Sequence, residues 1–260
     1  MSEVQNKLNS VPSGGFLTDR DKDKKPILDV RELGIDFGGL TAVDGFNLMI
    51  GRNEITGLIG PNGAGKTTVF NLLTNVYQPT RGSILIDGMP TAGKKTYQVN
   101  RMGVARTFQN IRLFKDLHES MKYNLGSSLI RLPNYWKEEK RCTERAIELL
   151  DIFHMADLAD AQAGSLPYGA QRRLEIMRAL ATSPKLLLLD EPAAGMNPSE
   201  TAELTETIRR IRDEFNIAVL LIEHDMSLVM GISEGIAVLN YGRIIAKGTQ
   251  DEIRSNPQVI

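Results

Sequence analysis

The sequence predicts an α/β fold with a mixed sheet core, an antiparallel β subdomain and a helical subdomain. Early in the chain, short strand-like runs beginning at Ile27, Phe46 and Ser83 are separated by glycine turns, which is typical of antiparallel strands. Late in the chain, the apolar runs KLLLLD and IAVLLIE are separated by a helix, which is typical of a buried parallel sheet. The sequence between these regions has helical periodicity.

Apolar residues recur at helical spacing in three places. They predict one helix from about Glu138 to Met155, a second that begins after Gly169, and a third between the two apolar strands. The three stripes are Ala146, Leu149, Leu150 and Phe153; Leu174, Met177 and Ala181; and Leu204, Ile208, Ile211 and Phe215. The segment Asn197 to Glu200 has good helix-starting chemistry, and a hairpin is expected to turn at Tyr241-Gly242.

Composition excludes several classes of function. The chain has 260 residues and a net charge of -1, so no basic field favours nucleic acid. Cys142 is its one cysteine, which rules out a disulfide within the chain. No apolar run reaches the ~18 residues of a membrane span, and no signal peptide is evident, so a cytoplasmic location is expected. Residues 1–25 are polar and predict a flexible extension before a domain over 26–260.

A glycine-rich loop predicts a nucleoside triphosphate site. The run GPNGAGKT fits G-x-x-x-x-G-K-[ST], with a strand before it and a helix after it. In such a loop backbone N–H groups surround phosphate, Lys66 bridges the β and γ phosphates, and Thr67 ligates Mg²⁺. The expected ATP-binding residues here are Gly60, Pro61, Asn62, Gly63, Ala64, Gly65, Lys66, Thr67 and Thr68. The alternative, a glycine turn with a chance lysine, leaves the flanking strand and helix unexplained.

A pair of carboxylates follows the first apolar strand. Asp190 is expected beside the phosphate loop, where it can hold Mg²⁺ directly or through water. Glu191 would then face the γ-phosphate and polarise the attacking water. These residues could instead end a strand in a solvated turn, but a complete phosphate loop favours the catalytic interpretation.

Four further segments resemble the motifs of ABC-transporter ATPases. Residues 165–173, SLPYGAQRR, resemble the signature, whose family form is Leu-Ser-Gly-Gly-Gln. Residues 107–109, TFQ, resemble the Q-loop, and residues 222–225, IEHD, resemble the switch-histidine strand. Phe37, in DFGGLTAV, matches the aromatic position that stacks on adenine. The motifs occur in the family order, and the resemblance covers about residues 27–255.

The resemblance implies a role for each motif. Leu166, Gly169 and Gln171 would contact a nucleotide held by a second ATPase subunit in a head-to-tail dimer. Gln109 would contact Mg²⁺ and link the site to a coupling segment at 110–123, and His224 would sense the γ-phosphate. The Q-loop and signature would lie in a helical subdomain over about residues 100–182.

Each role has a plainer alternative from the residues themselves. Phe37 could be a core residue, Gln109 a solvated loop residue and His224 a hydrogen-bonded structural histidine. The signature also departs from the family form, because Pro167 replaces a serine and Ala170 replaces a glutamine. Proline has neither an N–H group nor a hydroxyl, so a side-chain contact with the γ-phosphate is lost at that position.

Longer segments are similar to one of the two ATP-binding subunits of branched-chain amino acid importers. They are EPAAGMNPSET, IEHDMSLVMGIS, YGAQRRLEIMRAL, a longer loop around 132–136, and the ending at 256–260, after which such relatives usually continue for a few residues. The similarity implies a peripheral protein on the inner face of the cell membrane that works with transmembrane permease subunits and, indirectly, a solute-binding protein.

Other functions are weighed against this one. Importers of urea or short amides, exporters and other ABC systems share the same motor motifs. A soluble ABC ATPase acting on DNA or ribosomes usually carries tandem units or coiled-coil insertions, which this chain lacks. A phosphate-loop kinase would leave the signature and His224 unexplained. The transported solute, and whether the second ATPase is identical or merely similar, stay open.

Overall fold

The computed structural model describes residues 25–107 and 133–259 and places ten strands in two sheets within those ranges. In chain order the strands are β1 (Leu28–Phe37), β2 (Leu40–Ile50), β3 (Ile55–Ile59), β4 (Arg81–Ile86), β5 (Met89–Pro90), β6 (Val104–Arg106), β7 (Leu186–Asp190), β8 (Ala218–Ile222), β9 (Gly235–Asn240) and β10 (Arg243–Gly248). The helices described are α1 (Lys66–Leu73), α2 (Thr96–Arg101), α3 (Pro133–Ile152), α4 (Tyr168–Leu180), α5 (Pro198–Phe215), α6 (Met226–Ile232) and α7 (Gln250–Arg254).

The smaller sheet is antiparallel, with the strand order β2-β1-β4-β5. Leu28 at the start of β1 lies opposite Ile50 on one side and Ile86 on the other. Strands β1, β2 and β4 correspond to the strand-like runs that begin at Ile27, Phe46 and Ser83. The antiparallel β subdomain is therefore confirmed.

The larger sheet has the order β10-β9-β3-β8-β7-β6. Its strands β6, β7, β8, β3 and β9 are parallel, and β10 is added antiparallel through the predicted hairpin at Tyr241-Gly242. Every residue of β3, β7 and β8 is buried. Because parallel strands end at one edge of a sheet, the residues that follow β3, β7 and β8 lie close together.

The central sheet is covered on both faces. Successive side chains of a strand point to opposite faces, so Leu186 and Leu188 pack with the antiparallel sheet and α1, whereas Leu187 and Leu189 pack with α4, α5 and α6. The layers explain why these strands are apolar throughout rather than alternating. Among the described residues, no helix is both long and apolar enough to cross a membrane.

Two helix boundaries differ from the sequence-based expectation. α3 spans Pro133–Ile152 rather than Glu138 to Met155. Proline is favoured in the first turn of a helix, and His154 adopts a left-handed φ of 53°, which ends it. The expected loop at 132–136 is therefore wrong from Pro133 onward, where the helix has begun. α4 starts at Tyr168, one residue before Gly169 rather than after it.

The helix start predicted at Asn197 is confirmed. The Asn197 side chain accepts a hydrogen bond from the Glu200 N–H at 3.0 Å, and the Glu200 carboxylate accepts one from the Asn197 N–H at 2.9 Å. Pro198 follows as the first helical residue of α5. This reciprocal cap satisfies two backbone donors that a helix N-terminus otherwise leaves unpaired.

Candidate functional site

The phosphate loop joins β3 to α1 and has no room for side chains at its two ends. A Cβ atom at Gly60 would lie 2.1 Å from the carbonyl oxygen of Leu239, and one at Gly65 would lie 3.0 Å from that of Ala42. Both glycines have positive φ, 155° and 104°. Among the described residues, no side chain caps the start of α1, so its first N–H groups stay directed toward the loop. The loop and helix together form a binding place for an anion.

Lys66 lies over the loop that precedes it. Its Nζ donates hydrogen bonds to the carbonyl oxygens of Gly60, at 2.6 Å, and Pro61, at 3.0 Å. Burial lowers the pKa of the Lys66 ammonium from its ordinary value, and the negative charges of Glu191 and Asp190 oppose that change. The side chain is thus a buried cation whose nearest charges are the acidic pair. The structure brings together the three charged residues that the motifs predicted.

Asp190, the last residue of β7, is fixed from the neighbouring strand β6. Arg106 Nη2 lies 2.9 Å from Asp190 Oδ2, and both side chains are almost fully buried. The same guanidinium donates to Asn71 Oδ1 at 2.7 Å and lies 5.4 Å from the Phe70 ring centroid. Arg106 therefore ties the carboxylate of β7 to helix α1. The sequence analysis missed it, although a cation that ends a strand just before the TFQ segment was a usable signal.

Glu191 has an unusual backbone. Its φ is +48°, in the left-handed region that costs a residue with a side chain about 1 kcal/mol or more. The Glu191 N–H donates to the carbonyl oxygen of Ile222, at the end of β8, at 2.9 Å. The turn brings Glu191 out of the fully buried strand, and its side chain is only partly buried. A strained residue that follows a rigid buried strand is a typical position for a functional group.

His224 follows the next strand, β8, and its side chain is 64% exposed. That exposure does not fit a buried structural histidine. Its backbone N–H donates to Glu223 Oε2 at 3.2 Å. Asp225 then caps α6, since its Oδ1 accepts from the Ser227 N–H at 2.9 Å. His224 is therefore held by its backbone, and its ring is directed into solvent near the ends of β7 and β3.

Phe37 ends β1 and is 43% exposed, so it is not a core residue. Its ring meets Tyr77 edge to face, with centroids 5.2 Å apart and an interplanar angle of 74°. Tyr77 follows α1 and was not singled out in the sequence. An exposed aromatic face braced by a second ring is suited to stacking on a planar base.

The signature segment lies at the start of α4, which packs on the face of the central sheet opposite α1. Gln171 Nε2 donates to the carbonyl oxygen of Leu166 at 2.7 Å, which folds the segment back on itself. Gly169 is buried, and a Cβ atom there would lie 3.0 Å from Glu200 Oε1. Within one subunit, the signature and the phosphate loop thus belong to opposite layers. Gln109 and the coupling segment at 110–123 lie outside the described residues, as do residues 1–24 of the expected extension.

Comparisons with known proteins identify the family of the chain. Residues 43–194 match the family model for ABC transporter. The chain is 47% identical to the high-affinity branched-chain amino acid transport ATP-binding protein BraF of Pseudomonas aeruginosa, over 91% of this chain and 96% of the relative. It is 48% identical to the corresponding protein LivG of Escherichia coli K12, with the same coverage.

Solved structures give the same result. A nucleotide-free ATP-binding cassette from an ABC transporter matches with a TM-score of 0.77 and 28% identity, over 90% of this chain and 97% of that one. The ADP conformation of an ATP-binding cassette of an ABC transporter matches with a TM-score of 0.76 and 26% identity, over 90% and 96%. The expected phosphate-loop NTPase fold is therefore confirmed. The chain belongs to the ABC transporter family and is one of its ATPases.

Proposed function

We propose that this ATPase powers a membrane importer of branched-chain amino acids. The observation that carries the proposal is the near full-length similarity to BraF and LivG, which are named as ATP-binding proteins of high-affinity branched-chain amino acid transport. The rival importers of urea or short amides share the motor motifs, so the solute class rests on this similarity. The work of the chain itself is the hydrolysis of ATP.

ATP binding is assigned to the phosphate loop and to Phe37. The adenine stacks on the exposed Phe37 ring, which Tyr77 braces from the edge. The phosphates lie against the backbone of residues 60–68 at the start of α1, and Lys66 turns from the loop carbonyls toward the β and γ phosphates. Burial lowers the pKa of the Lys66 ammonium, and the negative charges of Glu191 and Asp190 act in the opposite direction.

The residues present fit Mg²⁺. Asp190 offers a carboxylate and Thr67 an exposed hydroxyl, both of which are oxygen ligands that suit a hard cation. Within residues 25–107 and 133–259 no cluster of three or more acidic, histidine or cysteine side chains is present. Mg²⁺ is commonly held by one or two protein groups together with phosphates and water. Gln109 is proposed as a further ligand, and Mg²⁺ held by these residues would neutralise charge on the phosphate oxygens.

Glu191 is assigned the role of general base. It accepts the proton of the water whose oxygen attacks the γ-phosphorus, while the bond from that phosphorus to the β-phosphate oxygen breaks. His224, on the adjacent strand end, contacts the γ-phosphate and reports its presence. Lys66 and the loop N–H groups stabilise the charge of the transferring phosphoryl group.

The signature implies a second ATPase subunit. Because α4 and α1 cover opposite faces of the sheet, we assign Leu166, Gly169 and Gln171 to a nucleotide held by another subunit rather than to the nucleotide of their own. We therefore infer a head-to-tail dimer, with permease subunits contacting the coupling segment at 110–123 on the inner face of the membrane. The solute-binding protein acts on the other side. From the resemblance to ABC-transporter ATPases we also propose an ATPase domain over residues 26–260, with a helical part over about residues 100–182.

Reconstitution tests the proposed function. The chain is expressed with and without the permease and solute-binding proteins of a branched-chain amino acid importer, and membranes are isolated. The chain is expected to sediment with membranes only when the permease is present, and its ATPase activity is expected to rise with L-leucine, L-isoleucine or L-valine. Stimulation by urea or acetamide and not by leucine would contradict the solute class. Activity that depends on DNA or ribosomes would contradict the transport role.

A further inference from the structure

Glu223 is a buried carboxylate to which the mechanism above gives no part. It follows β8 directly and is 1% exposed. Burial raises the pKa of its carboxyl, and hydrogen bonds from backbone N–H groups, that of Ala193 first, act in the opposite direction. A buried carboxylate is costly unless its oxygens are well paired. The Glu223 carboxylate is therefore stable in its buried position only if its oxygens accept hydrogen bonds.

Its partners belong to the two loops that carry Glu191 and His224. Glu223 Oε1 accepts a hydrogen bond from the Ala193 N–H at 2.8 Å. Its Oε2 accepts one from the His224 N–H at 3.2 Å. One carboxylate thus connects the segment after β7 to the turn after β8. The connection spans 30 residues of sequence.

The contact with Ala193 completes the restraint on Glu191. The Glu191 N–H is held by the carbonyl oxygen of Ile222 at 2.9 Å, and Pro192 has no N–H to offer. The next backbone donor is the Ala193 N–H, and Glu223 Oε1 accepts its hydrogen bond. A positive φ at a residue other than glycine persists only where the surroundings fix it from more than one side. Consecutive residues at the end of β8 hold the loop on both sides of the strained Glu191.

We propose that Glu223 is a positioning residue for ATP hydrolysis, whose carboxylate fixes the Glu191 loop and the His224 turn in one arrangement so that both side chains meet the γ-phosphate. The inference rests on the roles proposed above for Glu191 and His224. It differs from a purely structural role in one respect: loss of the carboxylate slows the chemical step more than it weakens the fold or ATP binding.

The substitutions Glu223→Gln and Glu54→Gln together distinguish a positioning role of Glu223 from a purely structural one. Glu223→Gln keeps the size of the side chain but sets an amide N–H₂ group against one of the two backbone N–H donors. Glu54→Gln is the matched control, because Glu54 is fully buried and accepts from the Gly51 N–H at 2.9 Å and from Thr56 Oγ1 at 3.2 Å at the start of β3. Glu54 precedes the first residue of β3, whereas the candidate site follows the last residue of that strand.

The reconstituted complex is assayed with Mg-ATP for kcat and KM, and the chain itself for ATP affinity and Tm. Glu223→Gln is expected to lower kcat at least ~10-fold, as for the loss of one hydrogen bond to a charged group, with KM and ATP affinity within about twofold of wild type. Glu54→Gln is expected to lower Tm with kcat unchanged. If Glu223→Gln behaves as Glu54→Gln does, or if its kcat falls only in step with ATP affinity, Glu223 is structural and the inference is wrong.

A combined variant tests whether Glu223 acts through Glu191 and His224. If it does, adding Glu223→Gln to a chain that already carries Glu191→Gln and His224→Ala slows hydrolysis by less than about twofold beyond that chain, because both misplaced groups are already inactive. A further loss of ~10-fold would show independent action and overturn the inference. The ATPase activity of the wild type distinguishes failure of the proposed function from failure of the inference about Glu223. If the wild type does not hydrolyse ATP, the proposed function fails and the inference fails with it. If wild type is active and Glu223→Gln matches it, only the inference fails.

Discussion

Replacing Arg106 by leucine leaves the buried Asp190 carboxylate and the half-buried Asn71 amide oxygen without their donor. The guanidinium pairs with Asp190 at 2.9 Å and bonds Asn71 at 2.7 Å, and its side chain is 6% exposed against 4% for Asp190. Removing one partner of a buried ion pair typically costs about 3–5 kcal/mol, because the remaining charge stays buried and uncompensated. We expect the Arg106→Leu variant to lose that much free energy of unfolding, which corresponds to a fall in Tm of about 6–20 °C for a chain of this size.

Urea and thermal unfolding measure the effect, and the chain supplies a control. Arg210 forms an exposed pair with Glu214 at 3.2 Å within α5, so Arg210→Leu should change the free energy of unfolding by less than about 0.5 kcal/mol. Adding Asp190→Asn to Arg106→Leu should restore part of the stability, because the buried carboxylate that lost its partner is then replaced by a neutral amide. If Arg106→Leu is no more destabilising than Arg210→Leu, Arg106 does not hold Asp190 in the way described.

Three further changes have defined outcomes. Lys66→Ala should abolish tight ATP binding in a fluorescent-nucleotide titration, and retained micromolar affinity would remove Lys66 from the site. Pro167→Ser should hold or raise ATPase activity in the assembled complex, whereas a large fall would show that proline is needed there. Lys185 and Arg52 lower the pKa of Asp87 to about 2. The ion pairs of Asp87 therefore stabilise the folded chain above the pKa that Asp87 has in the unfolded chain, and this stabilisation is lost as the pH falls toward 2. Asp87→Asn should therefore cost about 1 kcal/mol at pH 7, after allowance for solvent screening, and almost nothing near pH 2; an equal cost at both values would contradict this.

Much of the fold follows from local signals. The strand runs, the cap at Asn197 and the hairpin at Tyr241-Gly242 depend on neighbouring residues and are confirmed. The phosphate loop was also predicted locally, since its motif lies within eight consecutive residues, although the carbonyl groups that approach Gly60 and Gly65 come from distant parts of the sequence. The ends of α3 were missed because they depend on Pro133 and on the left-handed His154 rather than on the apolar stripe that predicted the helix.

The supporting residues of the site could not be found from spacing. Arg106 meets Asp190 across 84 residues of sequence, and Glu223 meets Ala193 across 30. Both contacts arise because β6, β7 and β8 end at the same edge of the sheet, a juxtaposition that the strand order creates. The motifs predict which residues act on the nucleotide. The neighbours that hold those residues in place follow from the strand order of the sheet.

The Glu191→Gln variant tests most directly whether ATP bound between residues 60 and 67 is cleaved by the acidic pair that ends β7. The substitution keeps the size of the side chain, so ATP affinity should stay close to that of wild type. Phosphate release by the reconstituted complex should fall at least ~100-fold, as expected for the loss of a general base. Tight binding with near-normal release would contradict the account, because the base would then lie elsewhere.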